Sequence, residues 1–256
     1  MIKILDCTTR DGGHTTNWNF EKYFVQELIK CQNKSNISFY EIGYRNHFDN
    51  ANKGTFYNCS PEFLEQYYKI KGKIQLGVMT DTKRFSIKDF PGQENDYIDF
   101  IRIACHPDKI KETLSIAENL YDKGYEIFVQ LMDISNIDNF GYKILEKWTC
   151  KNILKSLYCA DSYGIITPLD LEKTFIKLKT ADYQNISFHG HNNSNLALKN
   201  SLTAIKLGAY SVDITLNGIG RGGGNLNAAE LLNILNNFSA KHYNQLSEEY
   251  AEIFKE

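Results

Sequence analysis

Leu5-Asp6-Cys7-Thr8-Thr9-Arg10-Asp11-Gly12-Gly13-His14 changes character halfway along. Ahead of it, Ile2, Ile4 and Leu5 make a short apolar run. Behind it come an Arg, an Asp, two Gly and a His. This pattern suits a strand that leaves a core and presents polar groups at its end. Gly12 and Gly13 are expected to turn the backbone through φ values that a side chain forbids. One short loop then offers a cation, a carboxylate and an imidazole. Taken alone, Arg10 and Asp11 also fit a surface ion pair beside a turn.

Outward from that stretch, strand-like and helix-like runs alternate. Strands are expected at Ile2 to Leu5, Phe39 to Gly43, Ile74 to Met79, Phe100 to Cys105, Glu126 to Met132, Leu157 to Ala160, Ile186 to His189 and Val212 to Leu216. Helices are expected at Phe20 to Cys31, Pro61 to Tyr68, Pro107 to Tyr121, Ile137 to Trp148, Pro168 to Leu178, Leu196 to Leu207 and Leu226 to Asn236. Pro61 and Pro168 stand in first helical turns, and Gly208 closes a helix as its C-cap. Asp81 to Asp96 reads as a short helix and loop. The strands are continuous apolar runs, as expected where both faces of a parallel sheet are buried. Eight such units in 256 residues predict a single-domain (β/α)8 TIM barrel over 1–256. An open doubly wound sheet would carry a G-x-G-x-x-G turn after the first strand, which this chain lacks. Gln245 to Glu256 reads as one extra amphipathic helix.

Composition narrows the function classes. The chain is 42% hydrophobic and 23% charged with a formal net charge of -2, ordinary for a soluble globular protein. No basic run or RNA-type aromatic motif points to nucleic acid. No apolar run approaches the ~18 residues of a membrane span. The N-terminal apolar run is too short for a signal peptide. Six Cys stand without CxxC pairing, several inside apolar runs, which predicts reduced, buried thiols and a cytoplasmic protein.

A barrel of this kind places its active site at the C-terminal ends of the strands. Read there, the chain offers Arg10, Asp11 and His14; Glu41, Tyr44 and Arg45; Thr80 and Asp81; His106; Gln130 and Asp133; Asp161 and Ser162; His189, His191, Asn192 and Asn193; and Asn217 before a glycine-rich run to Asn225. His189 and His191 are two apart, so both imidazoles point to one side of their strand. With Asp11 they would make a two-His, one-carboxylate set that leaves positions open on a six-coordinate metal. Two unrelated structural histidines are the alternative. The glycine run could cradle an anion, or be a loop whose Asn225 caps the last helix. No Lys stands at a strand end, which argues against a Schiff-base aldolase. No G-x-S-x-G elbow argues for a hydrolase.

Thr8-Thr9-Arg10-Asp11-Gly12-Gly13-His14, His189-Gly190-His191-Asn192-Asn193 and Asn217-Gly218-Ile219-Gly220-Arg221-Gly222-Gly223-Gly224-Asn225 together resemble the DRE-TIM metallolyases, the HMGL-like and 4-hydroxy-2-oxovalerate aldolase-like proteins. The likeness runs in order from Leu5 to Leu232. It implies that Asp11, His189 and His191 hold a divalent metal, Mn2+ or Mg2+, with Asn225 a ligand or close neighbour. It implies that Arg10 holds the enolate oxygen, that Glu41 orients Arg10, and that Asp161 and Ser162 line the substrate site. His106 and Asn193 are expected beside them. The synthases and the hydroxymethylglutaryl lyase usually have Gln where this chain has His14, whereas the pyruvate-releasing aldolases have His, proposed as the base. The glycine loop also lacks the lyase's Cys. The chain ends soon after the eighth unit, without the further domain that docks a dehydrogenase in the bacterial aldolases. It therefore looks like the short, stand-alone members.

The expected activity is a metal-dependent aldolase that cleaves or forms a 4-hydroxy-2-oxo acid through a pyruvate-type enolate. Its partners would be a 2-oxo acid and an aldehyde, and its assembly a homodimer. A Claisen-type synthase acting on an acyl-CoA and a 2-oxo acid is the nearest alternative. A non-catalytic barrel that only binds is the alternative from another class.

Overall fold

The computed structural model describes residues 1–47 and 52–254. Eight parallel strands close in sequence order into a barrel. They are β1 (Lys3–Asp6), β2 (Phe39–Tyr44), β3 (Gln75–Asp81), β4 (Phe100–Cys105), β5 (Glu126–Leu131), β6 (Leu154–Asp161), β7 (Ile186–Gly190) and β8 (Ser211–Ile214). Closure is set by β1 and β8, where Lys3 lies opposite Ser211 and Asp6 opposite Ile214. The expected barrel is therefore present.

Helices wrap the outside. After β1 come two single-turn helices, α1 (Thr8–Asp11) and α2 (Gly13–Thr16), then α3 (Lys22–Lys34). The others are α4 (Pro61–Tyr68), α5 (Ile110–Tyr121), α6 (Asn139–Lys147), α7 (Pro168–Thr180), α8 (Ala197–Lys206), α9 (Ala228–Leu232) and α10 (Lys241–Glu249). Several starts are fixed by side-chain caps. Ser60 accepts from the Phe63 amide at 3.3 Å, Asp138 from Gly141 at 2.7 Å and Thr167 from Asp170 at 3.3 Å. Gly208, at φ +82°, closes α8 as expected.

Four local expectations need correction. The run after β1 is helical, not an open loop. Gly12 sits at φ -63°, so its role is space rather than backbone freedom. A Cβ there would meet Thr8 O at 2.4 Å, and one at Gly13 would strike the Trp18 ring at 2.2 Å. Second, the β3–β4 crossover holds no α-helix. It runs through 3-10 turns at Ile87–Asp89 and Gln93–Asn95. Its anchor is Asp96, gripped by both terminal nitrogens of buried Arg45 and by Tyr125 Oη at 2.7 Å. Third, the last helix is Lys241–Glu249, followed by a 3-10 turn at Ala251–Phe254; residues 255 and 256 lie outside the described residues. Fourth, α9 is only Ala228–Leu232, and its cap is Asn227, which accepts from the Ala229 amide at 2.9 Å. Asn225 is left for other work.

The barrel interior is layered. Leu5, Cys7, Phe39, Phe100, Phe128 and Tyr158 form one buried apolar cluster. Two residues further along their strands, Phe39 gives way to Glu41 and Phe100 to Arg102; Ser187 gives way to His189 and Ser211 to Asp213. Period two keeps each pair on the same side of its strand. The interior thus changes from apolar to charged on approaching the C-terminal mouth.

Candidate metal and substrate site

The buried polar groups converge at that mouth. Asp11, His189 and His191 are all at least 97% buried, and their donor atoms lie within 4.8 Å of one another. Asp11 Oδ2 stands 4.0 Å from Nε2 of each histidine. Asp11 gets there because α1 turns the chain back at the end of β1. His191 is held by a bridge to Asn225 across the glycine-rich loop. Asn225 donates from Nδ2 to Asp11 Oδ2 and, at 2.9 Å, to Ile219 O. Its buried Oδ1 has no protein partner, and neither has Arg10 Nη2. Gly220 makes room for this arrangement, since a Cβ there would stand 1.9 Å from Asn225 Nδ2 and 3.0 Å from Asp11 Oδ2.

Protonation suits cation binding. Burial pushes the Asp11 carboxyl up, but Arg10 and the neighbouring histidines outweigh it and hold Asp11 well below the usual range. Burial lowers His191 to about 4 despite the Asp11 charge, so its imidazole is neutral near pH 7. His189 Nδ1 lies 2.8 Å from Asp213 Oδ2. If Nδ1 donates to that carboxylate, Nε2 keeps its lone pair facing Asp11. One carboxylate, two imidazoles and an orphaned amide oxygen form a hard-to-borderline donor set, which fits a divalent cation and leaves positions open on a six-coordinate one. A second cluster, Cys7 with His189 and Asp213, fits poorly. Burial holds the Cys7 thiol well above its normal pKa, and its proton points at Ile214 O, 3.6 Å away.

Arg10 is 97% buried and sits between two carboxylates. Nη1 meets Asp11 Oδ1 at 2.6 Å and Nε meets Glu41 Oε1 at 2.5 Å. Its backbone oxygen accepts from Trp18 Nε1 at 3.0 Å. The guanidinium is therefore fixed by two carboxylates and its backbone by Trp18, with Nη2 left without a protein partner. His14 Nε2 lies 4.0 Å from Asp11 Oδ1, and its ring packs edge-on against Trp18 at 4.7 Å. An unperturbed imidazole titrates at about 6.5. Burial lowers His14 to about 4, and the Asp11 charge only partly opposes this. The ring is neutral at pH 7 and can accept a proton, as a weaker base than a free imidazole.

The remaining expected residues divide. Glu41 is fully buried and holds both Arg10 and Arg102. Asp161 turns its carboxylate into its own loop, accepting from the Ile165 and Ile166 amides at 3.0 and 3.1 Å. Ser162 Oγ accepts from the Asp133 amide at 2.8 Å, tying the β5 and β6 loops together. Asn193 is exposed and packs under the glycine loop; a Cβ at Gly223 would stand 2.7 Å from its Cα. His106 is half-buried at the turn after β4, and no hydrogen bond or ion pair joins it to the Asp11 cluster among the described residues. The sequence reading passed over Arg102 and Asp213. The available signal was a single charge inside each of two apolar strands, Phe100–Cys105 and Ser211–Ile214. Grooves on the outer wall, such as the one lined by Phe140, Ile144 and Trp148, contain none of these groups. Among the described residues, no helix is long and apolar enough to cross a membrane.

Comparison with known proteins agrees with the barrel fold. The HMGL-like family model matches residues 103–250. An oxaloacetate decarboxylase of Mycobacterium tuberculosis is 27% identical over 225 residues, covering 87% of this chain and 66% of that protein. A 4-hydroxy-2-oxovalerate aldolase of Geobacillus genomosp. 3 is 25% identical over 241 residues, covering 91% and 70%. The chain thus spans about two thirds of these relatives' length. Among solved structures, the N-terminal domain of a candidate aldolase from Bacteroides vulgatus superposes with a TM-score of 0.85 at 30% identity, covering 98% of this chain and 88% of that one. The carboxyl transferase domain of Rhizobium etli pyruvate carboxylase shares the fold, with a TM-score of 0.75 at 14% identity over 99% of this chain and 47% of that one. With more than half its length matched by the family model and the motif residues gathered at one barrel mouth, the chain belongs to the HMGL-like family of DRE-TIM metallolyases.

Proposed function

We propose that the chain is a divalent-metal-dependent carbon–carbon lyase acting on a 4-hydroxy-2-oxo acid, in cleavage or in the reverse aldol addition. The observation that carries this reading is the meeting of Asp11, His189 and His191 beside a fixed Arg10 whose Nη2 has no partner. Asp11, His189 and His191 would hold the cation, with Asn225 Oδ1 beside them. A bound Mn2+ or Mg2+ supplies Lewis acidity toward the 2-oxo group. Arg10 donates from Nη2 to the oxygen on which negative charge grows as the bond breaks. Glu41 keeps Arg10 from rotating out of that position. His14 takes the 4-hydroxyl proton through its neutral imidazole. The names of the relatives support the substrate class. Loss of CO2 from a 2-oxo diacid leaves the same type of enolate, so one site can serve both reactions.

The test is an assay of the purified protein with pyruvate and a panel of short aldehydes, with and without Mn2+, run alongside oxaloacetate. Carbon–carbon bond formation only with metal is expected. His14→Gln should abolish cleavage of the 4-hydroxy-2-oxo acid while sparing metal-dependent exchange of pyruvate methyl protons with D2O. Turnover only with acetyl-CoA, with release of free CoA, would replace the aldolase reading by a Claisen-type synthase.

A further inference from the structure

Beneath the mouth, the charged groups join into one chain of contacts. Arg102 is fully buried on β4. Its Nε and Nη2 reach Glu41 Oε2 and Oε1 at 2.6 and 2.5 Å, and its Nη1 reaches Asp213 Oδ2 at 2.5 Å. Its guanidinium stacks 4.7 Å from the centre of the Tyr158 ring. Glu41 Oε1 also holds Arg10 Nε at 2.5 Å, and Asp213 Oδ2 also holds His189 Nδ1 at 2.8 Å. A path therefore runs Asp11–Arg10–Glu41–Arg102–Asp213–His189. Its two ends, Asp11 and His189, face each other at 4.0 Å as candidate ligands of one cation.

We propose that Arg102 and Asp213 are positioning residues that tie the metal ligand His189 to the oxyanion donor Arg10. The inference rests on the lyase reading for its chemistry, but its geometry stands apart from that reading. Arg102 is the only side chain among the described residues that bonds both Glu41 and Asp213. Its planar fork grips Glu41 through Nε and Nη2 and Asp213 through Nη1, a spread of donors that the single nitrogen of a lysine does not reproduce. With Nδ1 of His189 donating to it, Asp213 presents Nε2 as a ligand. Glu41, clamped from one side by Arg102, fixes Arg10 on the other. Charge also fits: two arginines against Glu41, Asp11 and Asp213 leave one net negative charge on these five side chains. A divalent cation and a 2-oxo monoanion together bring the assembly to neutrality. A packing role alone would not need fixed charges at each of these positions.

The first readout uses Mn2+ alone and needs no substrate. In isothermal titration, Asp213→Asn should raise the Kd for Mn2+ by ~10- to 100-fold, the range typical of losing a carboxylate behind a ligating histidine. Far-UV circular dichroism should report a folded protein. Arg102→Lys should weaken Mn2+ binding and, at saturating Mn2+, also lower kcat, because both arms of the clamp loosen. Should Arg102→Lys fail to fold, Asp213→Asn carries the test by itself. A folded Asp213→Asn that binds Mn2+ within twofold of the wild type overturns the inference and leaves the lyase reading standing. A wild-type protein that binds no Mn2+ overturns both. Turnover of the wild type only as an acyl-CoA synthase, with Mn2+ affinity lost in Asp213→Asn, overturns the lyase reading alone.

Discussion

Two layers of the same barrel interior face each other across one strand repeat. In the lower layer, Phe39, Phe100 and Phe128 pack edge-to-face with ring centres 5.1 to 5.8 Å apart, and Tyr158 meets Phe128 at 5.9 Å. In the upper layer, Glu41, Arg102, Asp213 and His189 are equally buried but bound by charge. The lower layer stabilises by removing apolar surface from water and filling space. The upper layer must offset the desolvation of every ion it holds, and buried ion pairs of this kind seldom give net stability. The difference assigns the layers different tasks. One holds the barrel closed, and the other holds charged groups in fixed positions where the barrel opens.

That division can be broken by substitution. The largest effect is expected at the mouth. His191→Ala should remove bound metal while the protein stays folded, since the change touches no residue of the apolar layer. Activity should fall further than the ~100-fold typical of losing one oxyanion donor. Elemental analysis decides it, and unchanged metal content would refute the ligand assignment. Next comes Phe128→Ala in the lower layer. It should cost about 3–5 kcal/mol of stability in denaturant unfolding, as a large-to-small change in a packed core does. The kcat of the remaining folded protein should stay within a few-fold of wild type. A kcat that falls in step with stability would merge the two layers into one functional unit. Arg10→Lys should be milder than either, lowering kcat by ~100-fold with little change in stability. A variant with normal kcat and only a raised KM would make Arg10 a simple substrate clamp.

The two layers were not equally legible in the sequence. Barrel strands announce themselves as apolar runs, and β4, Phe100–Cys105, has the bounds its pattern predicts. Asp11, His189 and His191 could be read because two-residue spacing and strand-end position bring them to one side. Arg102 and Asp213 could not be paired that way. They are 111 residues apart, and only barrel closure makes them neighbours. The β3–β4 crossover failed for a similar reason, because Asp96 is fixed by Arg45 and Tyr125 from other parts of the chain. Gly12 and Gly13 were noticed for the wrong property. Glycine is demanded there by the Trp18 ring and the Thr8 carbonyl, which no local pattern announces. Strand-end position does not say what a side chain bonds: Asp161 and Ser162 are in loop contacts, and no bond joins His106 to the Asp11 cluster among the described residues.

The smallest expected effect separates the layers by pH. The apolar layer has no titration to contribute between pH 4 and 7, since Tyr158 is pushed well above its usual range by burial. The mouth does contribute. In the metal-free protein, burial lowers both His14 and His191 to about 4, against about 6.5 for an unfolded chain. Between those values the unfolded state binds more protons than the folded one. Stability therefore falls as pH drops from about 6.5 toward about 4 and is insensitive to these two groups above that window. His191 is the stronger contributor, being almost wholly buried where the His14 side chain is 28% exposed. Thermal melts in EDTA from pH 4.5 to 7.5 should show the wild-type Tm declining more steeply on acidification than that of His191→Gln, which has no imidazole to protonate. Parallel curves for the two proteins would mean that His191 is already solvated in the metal-free state. The mouth would then be open to water before the cation arrives, and Arg10 would lose its remaining water only when the ligand binds.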